Sequence, residues 1–265
     1  MGGITSFIGM IVSFVAVVVG VLVLGGNIMD FVNLPSVMLV VVPTIASMIT
    51  AYPLKVVLKI PAHLKVILRK EVKPEEYIEK IVELANKARS GGALALEDEK
   101  IDEPFMAYGV QLIVDSVMHE AEMKNSLEEI LESMSIRHNE AIAMYEKGAN
   151  FAPAFGMCAT VISLVNMLGG LDFTDPEAVN KLGGNMSAAL ITTLYGSMLA
   201  NIVFVPLAGR LKVLHKREVF NKTLICTGLL AIMNGSSAKF IREFLYEQLS
   251  KENKKNANKT GGGAQ

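Results

Sequence analysis

Four stretches of 21 to 25 residues, 4–24, 31–52, 149–171 and 184–208, contain no Asp, Glu, Lys or Arg. As a helix, each is long enough to cross a hydrocarbon core of about 30 Å. The chain is 51% hydrophobic and 19% charged over 265 residues, so its charge is crowded into the segments between the stretches. That distribution reads as a polytopic membrane protein with a large water-exposed portion. The two cysteines, Cys158 and Cys226, lie too far apart to suggest a disulfide scaffold. A net charge of −1 argues against a nucleic-acid binder.

The positions of the cations set the topology. Of 25 Lys and Arg, 24 lie in the loop 53–148 or after residue 208, and Lys181 is the exception. Lys55, Lys59, Lys65, Arg69 and Lys70 follow the second stretch, while Arg210, Lys212, Lys216 and Arg217 follow the fourth. The bias of cations towards the inner side places both termini and the long loop in the cytoplasm. Met1-Gly2-Gly3 lacks the basic start of a signal peptide, so the first stretch is read as a retained helix.

An all-α chain is expected throughout. Pro74-Glu75-Glu76 resembles a first helical turn, Ile78, Ile81, Val82, Ala85 and Ala88 share a face, and Gly91-Gly92 stops the helix. A second helix is expected to open at Asp102-Glu103-Pro104. Ser126 with Glu129 has the pattern of a capping box, from which a helix would run into the third stretch as a stalk projecting from the membrane. Helix is again expected from Arg210 to Leu249, broken near Asn234-Gly235-Ser236-Ser237. The expected division is 1–52 for the first two spans, 53–148 for a cytoplasmic helical domain, 149–208 for the last two spans, 209–249 for C-terminal helices and 250–265 for a disordered tail.

The spans are notable for lacking an ionisable relay, which ion-moving proteins usually need. Either this protein conducts no ions, or a partner supplies the group. The third and fourth stretches carry Thr160, Ser163, Asn166, Ser187, Thr192, Thr193, Ser197 and Asn201, which favours the second reading. Pro153, Gly156, Thr160 and Ser163 form one helical stripe, and Ala189, Thr193, Gly196 and Ala200 another; close helix packing alone would also account for both. Pro153 and Pro206 each free a backbone carbonyl within an apolar helix and are candidate flexible points. The four histidines show no ligand-like spacing, Gly169-Gly170 and Gly183-Gly184 read as membrane-edge turns, and no catalytic constellation is found; neither an enzyme nor a cofactor is expected.

The segments FAPAFGMCATVISLVNMLGGL (151–171) and ALITTLYGSMLANIVFVPLAGRL (189–211) resemble the third and fourth membrane helices of the MotA/PomA flagellar stator subunits. RSGGALALED (89–98), an Arg followed eight residues later by Glu, resembles that family's loop signature. The resemblance covers nearly the whole chain except the tail. It implies a homo-oligomeric ring, reported as a pentamer, set in membrane lipid around a MotB/PomB-like single-span partner whose aspartate binds the permeating Na⁺ or H⁺. Ion flow would turn the ring against the rotor protein FliG. On this resemblance Arg89 and Glu97, with Asp98 beside them, are the rotor-contacting charges, although Lys100 stands where some relatives carry another acid. Pro153 and Pro206 match the two prolines associated with coupling. Thr160 and Thr193 match hydroxyl positions near the ion path, and a Thr at 160 leans towards sodium. The alternatives are a TolQ/ExbB-like energiser, which usually has three spans, and a non-conducting membrane scaffold.

Overall fold

The computed structural model describes residues 2–69, 71–115, 119–170 and 176–249. Among them there is no β-strand. Ten α-helices are described: α1 (Gly2–Val23), α2 (Leu34–Ala51), α3 (Leu54–Val57), α4 (Ile60–Leu68), α5 (Pro74–Gly91), α6 (Pro104–Val114), α7 (Glu120–Gly169), α8 (Pro176–Met198), α9 (Val205–Met233) and α10 (Ala238–Glu247). A π-helical segment, Leu199–Phe204, joins α8 to α9. Four helical stretches are long and apolar enough to cross a membrane, one in each of the charge-free windows. The chain divides into two compact units, Met1–Lys70 with His138–Leu214 and Glu71–Arg137 with His215–Gln265; α7 and α9 contribute to both.

In the first unit, nothing in the apolar window of α1 is buried, as suits a helix whose solvent is lipid. α2 opens on Asn33, whose side chain accepts from the Ser36 N–H, and buries Ser36, Val40, Thr44 and Met48 along a single i,i+4 stripe. α2 packs against α8. The Tyr195 hydroxyl donates to the Phe31 carbonyl and accepts from the Asn33 N–H, which ties the α1–α2 connection to α8. At the other end of these helices Met48, Val57, Ile67, Met144, Tyr145, Ala152, Phe204 and Leu207 form an apolar cluster. His63 of α4 reaches into it, its Nδ1 3.2 Å from the Tyr145 hydroxyl.

The second unit is a helical core of Ile78, Ile81, Leu84, Leu96, Met106, Met123, Leu127, Leu224, Leu229, Ile241 and Leu245. α5 and α6 begin at the expected prolines, Pro74 and Pro104. Gly92 ends α5 with φ +76°, where a side chain would be strained. Gly235, at φ +68°, ends α9, and Ser237 then caps α10 through the Phe240 N–H. α10 holds α5 by Arg242 and Tyr246, both bonded to Glu79.

Two local expectations are corrected. α7 starts at Glu120, six residues before Ser126, so Ser126 and Glu129 lie inside a 50-residue helix that runs unbroken through the third stretch. The helix start uses Glu122 instead, whose carboxylate accepts from the His119 N–H at 3.1 Å. Gly183 and Gly184 are helical rather than a turn, because α8 begins at Pro176. The expected tail, 250–265, lies outside the described residues.

Candidate functional site

Of the polar residues of the third and fourth stretches, Thr160, Thr192 and Thr193 meet between α7 and α8. The two helices approach through glycine: a Cβ on Gly156 would lie 3.0 Å from the Thr192 carbonyl oxygen. That closeness brings Thr160, one turn further along α7, into the groove between Ala189, Thr192 and Thr193 of α8. Its Oγ1 lies 2.9 Å from the Ala189 carbonyl, 3.0 Å from Thr192 Oγ1 and 2.6 Å from Thr193 Oγ1. It is also 3.0 Å from the carbonyl of Gly156 on its own helix. Thr192 donates to Ala189 at 2.7 Å.

Thr160 has one proton and two lone pairs, so it cannot satisfy all four neighbours as a donor. The result is an oxygen-rich node of three hydroxyls and two carbonyls within a low-dielectric setting. Thr192 is fully buried, Thr160 is half-buried and Thr193 is exposed, so the node grades from packed interior to open surface. Hydroxyl and carbonyl oxygens are hard ligands, suited to a small cation or its water. No group of three or more His, Cys, Asp or Glu that could hold a metal occurs among the described residues. Back-bonding within α7 and a contribution from α8 are both present, so the packing and lining readings of Thr160 are not exclusive.

Pro153 lies half-buried on α7, its Cα 3.1 Å from where a Cβ on Gly196 would stand. Pro206 is the second residue of α9, two positions past the last residue of the π segment. There the Val205 N–H bonds the Ala200 carbonyl, five residues back. The wider π turn accommodates a residue that has no N–H to offer Ile202. Pro206, Ile202 and Arg210 line a groove of about 460 Å³ with Ser6, Gly9 and Met10 of α1.

The charged signature falls in the second unit. Arg89 occupies the last turn of α5, where a cation also complements the helix dipole. Glu97 ends a 3₁₀ turn, Ala93–Leu96, and Asp98 follows it. All three side chains are exposed, and no ion pair among the described residues joins them. Leu96, just before, is buried in the core. Glu99, just after, bonds Lys80 at 2.7 Å and Lys87. Hydrogen bonds from Lys80, then Lys87, hold the Glu99 carboxyl below its ordinary range, and Glu99 in turn holds both ammonium groups above theirs.

Sequence reasoning therefore found the three exposed charges and missed the paired one, and it placed Thr193 but not Thr192 at the node. Thr192 carried a faint signal, being the hydroxyl next to Thr193. Glu99 carried none, because its lysines lie 12 and 19 residues earlier.

Residues 97–224 match the MotA/TolQ/ExbB proton channel family. Over 253 residues the chain is 36% identical to motility protein A of Treponema phagedenis, covering 94% of this chain and 95% of that one. It is 36% identical over 249 residues to the chemotaxis protein PomA of Vibrio alginolyticus, covering 92% and 94%. Among solved structures, the flagellar MotAB stator complex from Bacillus subtilis matches with a TM-score of 0.85 at 30% identity, over 95% of this chain and 98% of that one.

Proposed function

The chain belongs to the MotA/TolQ/ExbB proton channel family and is a flagellar motor stator subunit, and we propose that it forms the ring through which ion flow becomes torque. One observation carries the mechanism. The charge-free windows hold an oxygen-rich node at Thr160, Thr192 and Thr193 but no Asp, Glu, Lys or Arg. A hydrated cation or proton crossing lipid needs a charge-compensating partner. That group then comes from a second polypeptide, a MotB/PomB-like single-span subunit with an aspartate at the depth of the node. The solved structure similar to this chain is of a flagellar MotAB stator complex, which supports the same reading.

In this reading several copies, five by the family resemblance, surround the partner in the bacterial inner membrane, with both termini and the 53–148 loop in the cytoplasm. The node supplies oxygen ligands while the partner's carboxylate binds and releases the ion. The hydroxyl set suits Na⁺, whereas a proton needs only the carboxylate and water. Pro153 and Pro206, beside the glycine contact and the π segment, allow the helices to change setting as the carboxylate changes charge. Arg89, Glu97 and Asp98 meet the rotor protein FliG. Exposed, unpaired charges suit a contact that forms and releases quickly, because they steer encounter more than they hold it.

The test is ion flux in liposomes carrying the purified chain with and without its single-span partner. Flux is expected only with both, and only when the partner's aspartate is intact. Flux through the chain alone would overturn the two-component mechanism.

A further inference from the structure

The turn bearing Glu97 and Asp98 is fastened on both sides. Before it, Leu96 is 1% exposed. After it, Glu99 closes a ring of four charges. Lys80 Nζ lies 2.7 Å from Glu99 Oε1 and 3.1 Å from Glu83 Oε2. Lys87 Nζ pairs with Glu99 Oε2 and lies 3.3 Å from Glu83 Oε1. Each lysine thus bridges both glutamates, each glutamate uses both of its oxygens, and the ring sums to zero charge.

The members are not equally placed. Lys80, Glu83 and Lys87 lie along one face of α5, and Glu83 is 48% exposed. Glu99 is 13% exposed and comes from beyond the turn. An isolated surface pair would fix little, but a closed network with one carboxylate largely withdrawn from water holds a definite geometry. Arg89 is carried by the same helix, one turn past Lys87 at most. The ring therefore ties the acidic turn to the helix that carries its basic neighbour.

We propose that Glu99 is a positioning residue: through Lys80, Glu83 and Lys87 it fastens the 97–98 turn to α5, so that Glu97 and Asp98 stay facing solvent at a set distance from Arg89. The proposal rests on the reading of these three charges as the rotor-facing surface. A turn fixed in advance loses no conformational freedom at each engagement, so a weak contact can be remade at every step. Neutralising the Arg89 face removes the contact; loosening the ring leaves the charges present but unplaced.

Two measurements on the full chain with its partner subunit test this. In a background with Cys158 and Cys226 replaced by Ser, a spin label on Asp98→Cys is expected to be restrained in the parent and several-fold more mobile with Glu99→Gln. In a stator-deleted strain complemented with both subunits, Glu99→Gln is expected to slow swimming several-fold at unchanged membrane abundance, and Glu99→Asp to restore most of it. Label mobility that is the same in parent and Glu99→Gln overturns the proposal. So does normal swimming of Glu99→Gln alongside impaired Arg89→Glu, an outcome that leaves the rotor-facing surface intact. If Arg89→Glu and Glu97→Arg also swim normally, the surface reading itself fails and the positioning role falls with it.

Discussion

Gly196 on α8 lies so near Ala152 on α7 that a Cβ at 196 would stand 2.6 Å from the Ala152 carbonyl oxygen. The neighbour is backbone and cannot move aside. Gly196→Ala is therefore expected to force the two helices apart, costing about 1–3 kcal/mol by overpacking. Gly156→Ala, at 3.0 Å from the Thr192 carbonyl, should follow the same direction with a smaller effect. Gly109→Ala makes a useful contrast, because its obstacle is the Leu229 side chain rather than backbone. Thermal unfolding of the purified complex ranks the three; equal losses would mean that the α7–α8 contact is not backbone-limited.

Thr160→Ala removes the hydroxyl that every α7–α8 hydrogen bond of the node shares. Thr192 keeps its own acceptor at Ala189, so the loss of stability should stay near 1 kcal/mol. The functional loss should be larger and specific, with swimming speed depending less on external sodium, while Thr160→Ser retains the parent's dependence. A parent whose speed never responds to sodium rules out the sodium assignment.

His63 gives a pH dependence with a definite sign. Burial first, then Lys59 and His138, hold its imidazole below the ordinary 6.5. The unfolded chain then takes up a proton that the folded chain resists, so stability is complete above pH 6.5 and declines as pH falls below it. Thermal stability of the solubilised complex should drop as pH falls below about 6.5, and His63→Asn should flatten that slope. An unchanged slope places the titrating group elsewhere.

Pro206→Ala restores an N–H directed towards the Ile202 carbonyl and should leave the amount of assembled complex unchanged or raised. Swimming is nevertheless expected to fall several-fold, because the restored N–H adds a backbone donor that proline withholds beside the π segment. Normal motility in this variant would remove Pro206 from the coupling mechanism.

The sequence made legible whatever depends on short spacing. The four spans follow from charge-free length, α5 and α6 from Pro74 and Pro104, and the break before α10 from Gly235 and Ser237. The α7 start was misread because Ser126 and Glu129 imitate a cap while His119 and Glu122 provide the actual one. Contacts between distant segments left no local trace. The Tyr195 link to Phe31 and Asn33 and the Glu99 ring both arise from packing that brings remote residues together. The roles proposed for Arg89, Glu97, Pro153 and Pro206 rest on family resemblance, since nothing in their spacing alone separates a working charge from a solvated one.

The π segment at Leu199–Phe204 absorbs extra chain within an otherwise α-helical rod. Each residue of an α-helix turns the axis by about 100°. Were the same residues wound as ordinary α-helix, Leu207 and Ala208, now buried, would swing roughly that far around the helix and out of their cluster. The widened turn acts as a phase setting: it decides which side of the fourth span each later side chain presents.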